Sequence, residues 1–180
     1  MKKIPTLFKR DPENMARVLS EVNPGCEWVL AGEGVATIKY DGVCVMFDGN
    51  AWWSRREVKP DKPEPPNWVE VDADPVTGKR MGWEPIEQSS FRKIFESAIK
   101  PSELEAGQTF ELIGPKINGN FHNFTNHCLM RHGAAVDTSA PRDFEGLRDW
   151  MAIMCDGNLE GIVWHHPDGR RAKLKIKDVA

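Results

Sequence analysis

The amino-acid sequence predicts an α+β fold in which mainly antiparallel sheets are flanked by helices. Three observations predict this class: short β-like runs that follow one another from Trp28, amphipathic helical segments between them, and a closing hairpin around Pro167-Asp168-Gly169. The chain has 180 residues, 40% of them hydrophobic, which is enough to bury the core of one globular domain. Residues 1–180 are therefore expected to form a single domain.

Three segments have the apolar spacing of helices. The first follows Asp11-Pro12, a capping residue and a proline suited to the first turn, and extends to Val22. The second is predicted over residues 89–99, after a serine cap. The third is predicted over residues 139–154, with Asp156-Gly157 ending it.

Short runs rich in β-branched and aromatic residues predict strands. They are EWVLA (27–31), GVATIKY (34–40), GVCVMF (42–47), AWWSRR (51–56), QTFELI (108–113) and HCLMRH (127–132). Residues 48–50, Asp-Gly-Asn, predict a turn, and the proline-rich residues 59–67 predict an exposed loop that continues to about Glu87. A polar loop is predicted through residues 114–124.

The chain closes with a predicted hairpin, LEGIVWHH-PDG-RRAKLKIK, whose register depends on its turn. A two-residue loop at Asp168-Gly169 would place three residues of the first strand and three lysines on one face. The pairs are Glu160 with Lys177, Ile162 with Lys175 and Trp164 with Lys173. A three-residue loop with a bulge would change this register and could place Glu160 on the face opposite the lysines. We favour the two-residue loop because it gathers these groups.

Composition narrows the class of protein. The cysteines at positions 26, 44, 128 and 155 form no CxxC pair, so neither a zinc cluster nor a disulfide framework is suggested, and a reduced cytoplasmic location is expected. A formal net charge of −3 argues against bulk electrostatic coating of nucleic acid, so any such contact must be local. No targeting segment or stretch of ~18 apolar residues is present, so no membrane association is expected.

The segment Lys39-Tyr40-Asp41-Gly42 places a lysine at the end of a predicted strand, beside a glycine that permits close approach to the backbone. Alone, this segment is a weak indication, because a lysine at a strand end is usually a solvated charge. Further motifs follow it in order. They are Ser54-Arg55-Arg56, Phe110-Glu111-Leu112-Ile113-Gly114, Met130-Arg131-His132-Gly133, Glu160-Gly161-Ile162-Val163 and Lys173-Leu174-Lys175-Ile176-Lys177.

Each motif also has a structural explanation: surface arginines, a strand-edge carboxylate, or lysines that protect an edge strand from aggregation. The lysine segment and the motifs that follow it in order nevertheless resemble those of the covalent nucleotidyltransferases, the superfamily of DNA ligases, RNA ligases and mRNA capping enzymes. The resemblance covers residues 28–178. It implies a nucleotidyltransferase (ATP-grasp-like) ligase catalytic domain with an adenylation core over these residues and no OB-fold domain.

The resemblance assigns a role to each motif. It implies that Lys39 accepts AMP from ATP, that Lys175 and Lys177 grip the α-phosphate as catalytic lysines, and that Glu160 is linked to Mg²⁺ or Mn²⁺. His132 is preferred over Met130 as the side chain that stacks on the purine. The nucleotide-binding set it implies is Lys39, Asp41, Gly42, Arg55, Glu111, His132, Lys175 and Lys177.

The chemistry explains why cations are needed around the nucleophile. A free lysine has a pKa near 10.4, so freeing its amine at pH 7 costs about 4 to 5 kcal/mol. Lys175, Lys177 and a divalent ion at Glu160 would lower this cost, since like charge disfavours the ammonium form. The same cations would neutralise charge on the α-phosphate during transfer.

Within the superfamily, the sequence is most similar to a group of small RNA ligases. DNA ligases usually carry an arginine shortly after the lysine motif, whereas GVCVMF follows here, and the strings GPKINGNFHNF and LMRHG carry the narrower resemblance. It implies weaker RNA contacts by five residues. They are Arg56, Lys116, Asn118, Asn120 and Arg131.

The expected activity is ATP-dependent RNA ligation, as in RNA repair, in which a 5′-phosphate is joined to a 3′-hydroxyl through lysyl-AMP. The alternatives are a minimal DNA ligase, a capping-type enzyme that uses GTP, and a nucleotide- or RNA-binding module without turnover. The small size and the missing OB-fold tail predict either a partner protein or weak, local engagement of RNA.

Overall fold

The chain forms two compact units in a computed structural model that describes residues 2–100, 104–154 and 158–180. Unit 1 consists of Met1–Lys3 and Asp41–His132, and unit 2 of Ile4–Tyr40 and Gly133–Ala180. Each unit has sheets and a hydrophobic core of its own. The α+β class with mostly antiparallel sheets is confirmed, while the single-domain expectation stays a prediction.

The described strands and helices take these bounds in chain order. The strands are β1 Phe8–Arg10, β2 Val18–Val22, β3 Val35–Lys39, β4 Val43–Phe47, β5 Trp52–Val58, β6 Val69–Ala73, β7 Arg80–Pro85, β8 Gln108–Ile113, β9 Cys128–Arg131, β10 Gly161–His165 and β11 Arg171–Lys175. The helices are α1 Glu27–Leu30, α2 Arg92–Ala98, α3 Phe144–Met154 and α4 Ile176–Val179. Short 3₁₀ turns lie at Ile86–Gln88 and Asn118–Asn120.

Unit 2 contains a three-stranded sheet in the order β11-β10-β3 and the hairpin β1-β2. Alternation along the sheet sends Ile162, Trp164 and Leu174, all fully buried, to the core face. Helix α3 packs against this core through Leu147 and Met151. Lys39, Lys173 and Lys175 lie on the other face of this sheet, because they alternate with the core residues along β3 and β11.

Unit 1 contains a six-stranded antiparallel sheet in the order β6-β7-β5-β4-β8-β9. The central part of one face is apolar and packs with α2. Its buried core residues are Val45, Ile86, Phe95, Ala98, Phe110, Leu112 and Ile117. Because side chains alternate, Cys44 and Glu111, the neighbours of Val45 and Phe110, point to the other face.

Most local predictions of secondary structure are confirmed. The predicted strands over 34–40, 42–47, 51–56, 108–113 and 127–132 appear as β3, β4, β5, β8 and β9. The turn at Asp48 is confirmed, since its carboxylate accepts hydrogen bonds from the amides of Asn50 and Ala51, both at 2.8 Å. The helices over 89–99 and 139–154 appear as α2 and the shorter α3, and the predicted helix end at 156–157 lies outside the described residues.

The predicted helix from Asp11 to Val22 is wrong. Asp11 caps a tight turn instead, accepting the amide of Glu13 at 2.9 Å, and residues 18–22 form strand β2 against β1. The apolar stripe that suggested a helix is not buried, because Met15 is 66% exposed and Leu19 40% exposed. Strand pairing with the core segment around Phe8 thus outweighs a weak helical spacing.

The predicted strand EWVLA is wrong as well, since Glu27–Leu30 forms the single helical turn α1. Trp28 and Val29 are adjacent and both buried. In a strand they would face opposite sides, whereas in a helical turn both can face one core. The indole nitrogen of Trp28 donates to the carbonyl of Gly25 at 3.0 Å and fixes this turn.

The loop over residues 59–67 is confirmed, but its continuation to Glu87 is wrong, because β6 and β7 lie within it. Strand β6 is the outer strand of the sheet and leaves Val69 53% exposed, which explains its polar sequence. Gly82 lies within β7, where a Cβ would lie 2.3 Å from the Trp68 ring. The glycine therefore makes room for the Trp68 ring against the strand and does not mark a loop.

The closing hairpin has the register of the three-residue loop. The preferred two-residue register is wrong by one residue. The observed pairs are Gly161 with Lys175, Ile162 with Leu174, Val163 with Lys173, Trp164 with Ala172 and His165 with Arg171. The amide of His166 donates to the carbonyl of Arg170 at 2.9 Å, which closes a loop of residues 167–169. Gly169 takes φ +91°, the left-handed conformation that such a loop requires.

Among the helices of the described residues, none is long and apolar enough to cross a membrane.

Candidate active site

A cluster of lysines around one carboxylate lies at the end of the unit 2 sheet. Gly161 pairs with Lys39 of β3 on one side and with Lys175 of β11 on the other. Glu160 directly precedes Gly161, and its carboxylate binds both lysines. Its Oε2 lies 2.6 Å from Nζ of Lys39, and its Oε1 forms an ion pair with Lys175. Glu160 and these two lysines, together with Lys173, are called the lysine cluster below.

Gly161 allows the strands to converge on Glu160. A Cβ at this position would lie 2.1 Å from the carbonyl oxygen of Leu174 and 2.7 Å from Cα of Lys175. The amide of Ile176 donates to the carbonyl of Glu160 at 3.0 Å and continues the contact between the two strands. Glu160 therefore meets both lysines although the register differs from the preferred prediction, because it lies just outside the paired part of β10.

The electrostatics of the cluster are dominated by positive charge in a half-buried setting. Burial of Glu160 raises its pKa, but the attraction of Lys39 and Lys175 outweighs burial and holds the pKa below its ordinary value. Burial, together with the charges of Lys175 and Lys39, lowers the pKa of Lys173 to about 8, against the smaller opposing effect of nearby carboxylates. One carboxylate thus faces three lysines, an excess of positive charge that suits a phosphate.

Lys177, predicted as a catalytic residue, lies in helix α4, two residues after Lys175. It is exposed in α4, one residue before the buried Asp178, which accepts the backbone amide of Lys175 at 3.0 Å and a guanidinium nitrogen of Arg10 at 2.9 Å. The chain turns into this helix directly after Lys175, so the strand alternation that would have carried Lys177 to the same face ends. The described contacts of the Glu160 carboxylate are to Lys39 and Lys175 instead.

A second polar cluster lies on the face of the unit 1 sheet opposite its apolar core. Cys44 of β4 pairs directly with Glu111 of β8, and Met130 of β9 pairs with Glu111 from the other side. The imidazole of His132 binds Glu111 through Nε2 and Thr109 through Nδ1, both at 2.9 Å. The structure thus brings the predicted residues Glu111 and His132 together, with Met130 on the same face.

The Asp41-Gly42 part of the lysine motif belongs to unit 1 and contacts Glu111. The amide of Gly42 donates to Oε1 of Glu111 at 3.0 Å. A Cβ on Gly42 would lie 2.3 Å from the carbonyl oxygen of Leu112, so only glycine permits this close approach. The side chain of Asn118 donates to Asp41 at 3.0 Å and to the carbonyl of Gly42 at 3.3 Å.

The remaining predicted residues are distributed over both sheet faces. Arg55 and Trp53 share one face of β5. Trp53 pairs with Met46, and Met46 pairs with Thr109, which lies on the same face as Glu111, so Arg55 lies on that face too. Arg56 points to the other face and binds Glu84 at 3.3 Å.

The other predicted RNA contacts differ in the hydrogen bonds and ion pairs that they form. Lys116 is exposed. The amide group of Asn120 is taken up by the backbone of Phe124, with both bonds at 3.0 Å, so it holds the loop together. Arg131 is exposed, lies on the face opposite His132 and forms a long ion pair with Glu105 at 3.8 Å.

Sequence reasoning gave no site role to four residues that the structure places in these clusters. They are Cys44, Thr109, His122 and Lys173. His122 accepts the amide of Asp41 through Nε2 at 2.7 Å. Lys173 lies within the last sequence motif, and its alternation with Lys175 predicts that both lysines lie on one face of their strand. The others come from separate strands and a loop, so no local spacing indicated them.

Comparison with known proteins points to one family. A family model described as RNA ligase 1 matches residues 87–179, just over half of the chain. Curated proteins named RNA ligase 1 are similar to it: that of Pongo abelii is 27% identical over 153 residues, that of Mus musculus 29% over 153, and that of Danio rerio 36% over 73. The first two matches cover 63% of this chain and 47% of the relative, and the third covers 37% and 22%. The chain therefore spans about half the length of the first curated relatives it matches.

Proposed function

The chain belongs to the RNA ligase 1 family, and from this premise we propose that it is an ATP-dependent RNA ligase in which Lys39 is the nucleophile. We propose for it the covalent nucleotidyltransferase fold. The substrates are an RNA 5′-phosphate end, which receives AMP, and a 3′-hydroxyl end, which attacks the activated phosphate. The observation that carries the proposal is the ion pair of Lys39 with Glu160, which also binds Lys175.

The lysine cluster supports covalent transfer because it combines a nucleophile with cations for a phosphate. The side chain of Lys39 is 20% exposed, so it is accessible yet held in one place by Glu160. Lys175 and Lys173 lie on the same face of β11 and would contact the phosphate oxygens on which charge accumulates. We propose the same role for Lys173, and the role that the resemblance implies for Lys177 stays a prediction.

The reaction proceeds in three balanced steps. The neutral amine of Lys39 attacks the α-phosphorus of ATP, a P–N bond forms, the P–O bond to pyrophosphate breaks, and the amine proton passes to solvent. An oxygen of the RNA 5′-phosphate then attacks the phosphorus of lysyl-AMP, a P–O bond forms, the P–N bond breaks, and the amine of Lys39 takes a proton from solvent. Finally, a 3′-hydroxyl attacks the 5′-phosphorus of the RNA, a phosphodiester forms, the P–O bond to AMP breaks, and the hydroxyl proton passes to solvent.

Glu160 is the carboxylate through which Mg²⁺ or Mn²⁺ would be held, together with phosphate oxygens, which fits the preference of these ions for oxygen ligands. Such an ion supplies neutralisation of phosphate charge. When Glu160 serves the ion, it no longer holds Lys39 as an ion pair. The protein itself then contributes the position of the amine and the surrounding lysines.

Unit 1 supplies groups suited to a nucleoside. Glu111 has a carboxylate on the sheet face opposite the apolar core that can accept hydrogen bonds from ribose hydroxyls, while His132 or Met130 offers a flat or polarisable surface to a purine. Arg55 lies on this face, and Asn118 donates a hydrogen bond to Asp41. Both side chains are proposed to contact nucleotide or RNA.

The experiment is a ligation assay on matched nicked, single-stranded and hairpin substrates of RNA and DNA, with ATP or GTP and Mg²⁺ or Mn²⁺. We expect joining of RNA ends with ATP by the wild type and by Lys93→Ala, whose side chain is exposed on α2. We expect Lys39→Ala to lose activity by at least about 10³-fold, as for the removal of a covalent nucleophile.

Other outcomes would reassign the chain. Joining of DNA only would favour a minimal DNA ligase, and covalent labelling by GTP rather than ATP would favour a capping-type enzyme. Nucleotide binding without labelling would favour a binding module. Because the chain spans about half the length of the curated relatives it matches, the assay should be repeated with any partner protein that co-purifies with it.

A further inference from the structure

We propose that Cys44, Glu111 and His132 form a binding site for a thiophilic divalent cation of the class of Zn²⁺. One ligand atom of each residue lies within 4.8 Å of the other two. Thiolate, carboxylate and imidazole are the groups that zinc takes in proteins. A thiolate also distinguishes this site from the one proposed at Glu160, because Mg²⁺ and Mn²⁺ prefer oxygen ligands.

The backbone of the unit 1 sheet sets the spacing of the three ligands. Cys44 and Glu111 are directly opposed in the β4-β8 ladder, so their side chains leave the same face. The amide of His132 donates to the carbonyl of Thr109 at 3.1 Å, which places His132 beside β8, two residues from Glu111 along the same face. The convergence therefore results from strand register and does not depend on flexible side chains.

Two of the ligands are also oriented by neighbours, as metal ligands usually are. Nδ1 of His132 lies 2.9 Å from the hydroxyl of Thr109, and Oε1 of Glu111 accepts the amide of Gly42 at 3.0 Å. These contacts leave Nε2 of His132 and Oε2 of Glu111 facing each other at 2.9 Å. Without a metal this contact is a hydrogen bond. A bound cation would replace it and contact Nε2 and Oε2, with the imidazole proton on Nδ1 beside the Thr109 hydroxyl.

Binding would proceed with a defined balance of protons and ligands. The thiol of Cys44 loses its proton to solvent as the S–metal bond forms, and His132 binds as the neutral imidazole. Three protein ligands leave a fourth position for water, the arrangement of open zinc sites.

The test is a titration of the purified, chelator-treated chain with Co²⁺, a spectroscopic substitute for Zn²⁺, without nucleotide. We expect one equivalent to bind, a thiolate-to-cobalt charge-transfer absorption to appear, and one equivalent of Zn²⁺ to abolish it. Cys44→Ser should remove the band and weaken zinc binding at least tenfold, measured against a chromophoric chelator. Cys128→Ser, which alters another partly buried thiol of the same sheet, should leave both unchanged.

A measurement on the wild type covers the case in which a variant fails to fold. Zn²⁺ should slow alkylation of Cys44 at least tenfold, read by peptide mass mapping, and leave alkylation of Cys128 within about twofold. Absence of the cobalt band, retention of the band in Cys44→Ser, or equal alkylation of Cys44 with and without zinc would each overturn the site.

This inference goes beyond the ligase proposal and is tested separately from it. Because Glu111 and His132 are also the residues proposed to contact the nucleoside, the metal and the nucleotide would compete for them. Metal binding is measured without ATP or RNA, whereas ligation depends on Lys39. A chain that binds cobalt through Cys44 but joins no RNA would retain the metal site and lose the proposed function. A chain that joins RNA without the cobalt band would do the reverse.

Discussion

At the scale of single residues, the central feature is one carboxylate shared by two lysines. The Glu160 side chain is 12% exposed, and those of Lys39 and Lys175 are 20% and 23% exposed. Charges this far from water are costly unless paired, so Glu160 stabilises the lysines in the absence of phosphate. The same arrangement stores positive charge that an anionic ligand can use.

Glu160→Gln should lower the free energy of unfolding by about 1 to 3 kcal/mol at pH 7, because it leaves two half-buried lysines without their counter-charge. The pKa of Glu160 is lowered in the folded protein, so its contribution is present above its ordinary value of 4.5 and is lost as pH falls through the lower folded value. The difference between wild type and variant should therefore vanish in acid.

Denaturant unfolding at several pH values, with a chelator present, measures this dependence. Glu96→Gln, which breaks an exposed ion pair with Arg92, is the control and should change stability by less than about 0.5 kcal/mol. A Glu160→Gln effect that is equally small, or that grows toward low pH, would contradict the role of the pair.

Lys173→Met should raise the free energy of unfolding at pH 7 by about 1 to 2 kcal/mol, a value discounted for partial exposure. The pKa of Lys173 is about 8 in the folded protein against 10.5 ordinarily, so the unfolded chain binds this proton more tightly between those values. Wild-type stability should therefore rise as pH increases from about 8 to about 10.5, and the advantage of the variant should shrink.

Thermal or urea unfolding of both proteins at pH 7 and pH 10 provides the comparison, again with a chelator. Lys177→Met, at an exposed position of α4, is the matched control. An advantage of Lys173→Met that is the same at both pH values would show that burial of its charge is not the cause.

At the scale of elements, the β10-β11 hairpin determines the geometry of the lysine cluster. Its loop of residues 167–169 sets the register, and Gly161 permits the approach of β11 that brings Lys175 to Glu160. Strand β3 completes the arrangement from the other side, since Lys39 also pairs with Gly161. Backbone spacing, more than side-chain chemistry, gathers the three charged groups.

Gly161→Ala should destabilise the protein by at least about 2 kcal/mol, because its Cβ would overlap the carbonyl of Leu174 and force the strands apart. Gly169→Ala is the matched control in the same hairpin. Nothing lies within 4 Å of its added Cβ, so only its φ of +91° is unfavourable, a cost of about 1 kcal/mol. Chemical denaturation should rank the two in this order, and the reverse order would refute the steric explanation.

Element prediction from the sequence succeeded where a pattern agreed with burial. The alternation around Val45 and Phe110 predicted β4 and β8, since both residues are in a core. It failed where four or five residues fitted two periods, as at residues 18–22 and 27–30, because only tertiary pairing decides between them. The hairpin register failed for a related reason: Pro-Asp-Gly is compatible with two loop lengths.

At the scale of the whole molecule, charge is mixed and the net charge is small. The chain has 24 lysines and arginines, 27 aspartates and glutamates, and a net charge of −3. Several cations are paired with carboxylates, as Arg56 is with Glu84. The proposed RNA contacts should therefore be few.

The salt dependence of RNA binding tests this expectation. The slope of log K against log salt should lie between about −2 and −4, which corresponds to a few phosphate contacts. Fluorescence anisotropy of a 5′-phosphorylated RNA over a range of potassium chloride concentrations measures it. A slope near −8 or steeper would indicate an extended basic interface and would contradict local engagement.

The candidate site was predictable where its residues lie within recognisable motifs. The sequence alone named Lys39, Glu160 and Lys175, which the structure joins through two ion pairs. It could not identify Cys44 as a neighbour of Glu111, because that proximity depends on the pairing of strands more than sixty residues apart. Long-range register is information that local spacing does not contain.

The most direct test of the central claim is peptide mass mapping of the chain after incubation with ATP and a divalent cation. The account predicts one AMP per chain, attached through an acid-labile phosphoramide to the peptide that contains Lys39, and loss of that mass when pyrophosphate or 5′-phosphorylated RNA is added. No AMP adduct, or an adduct on another residue that persists in Lys39→Ala, would contradict it.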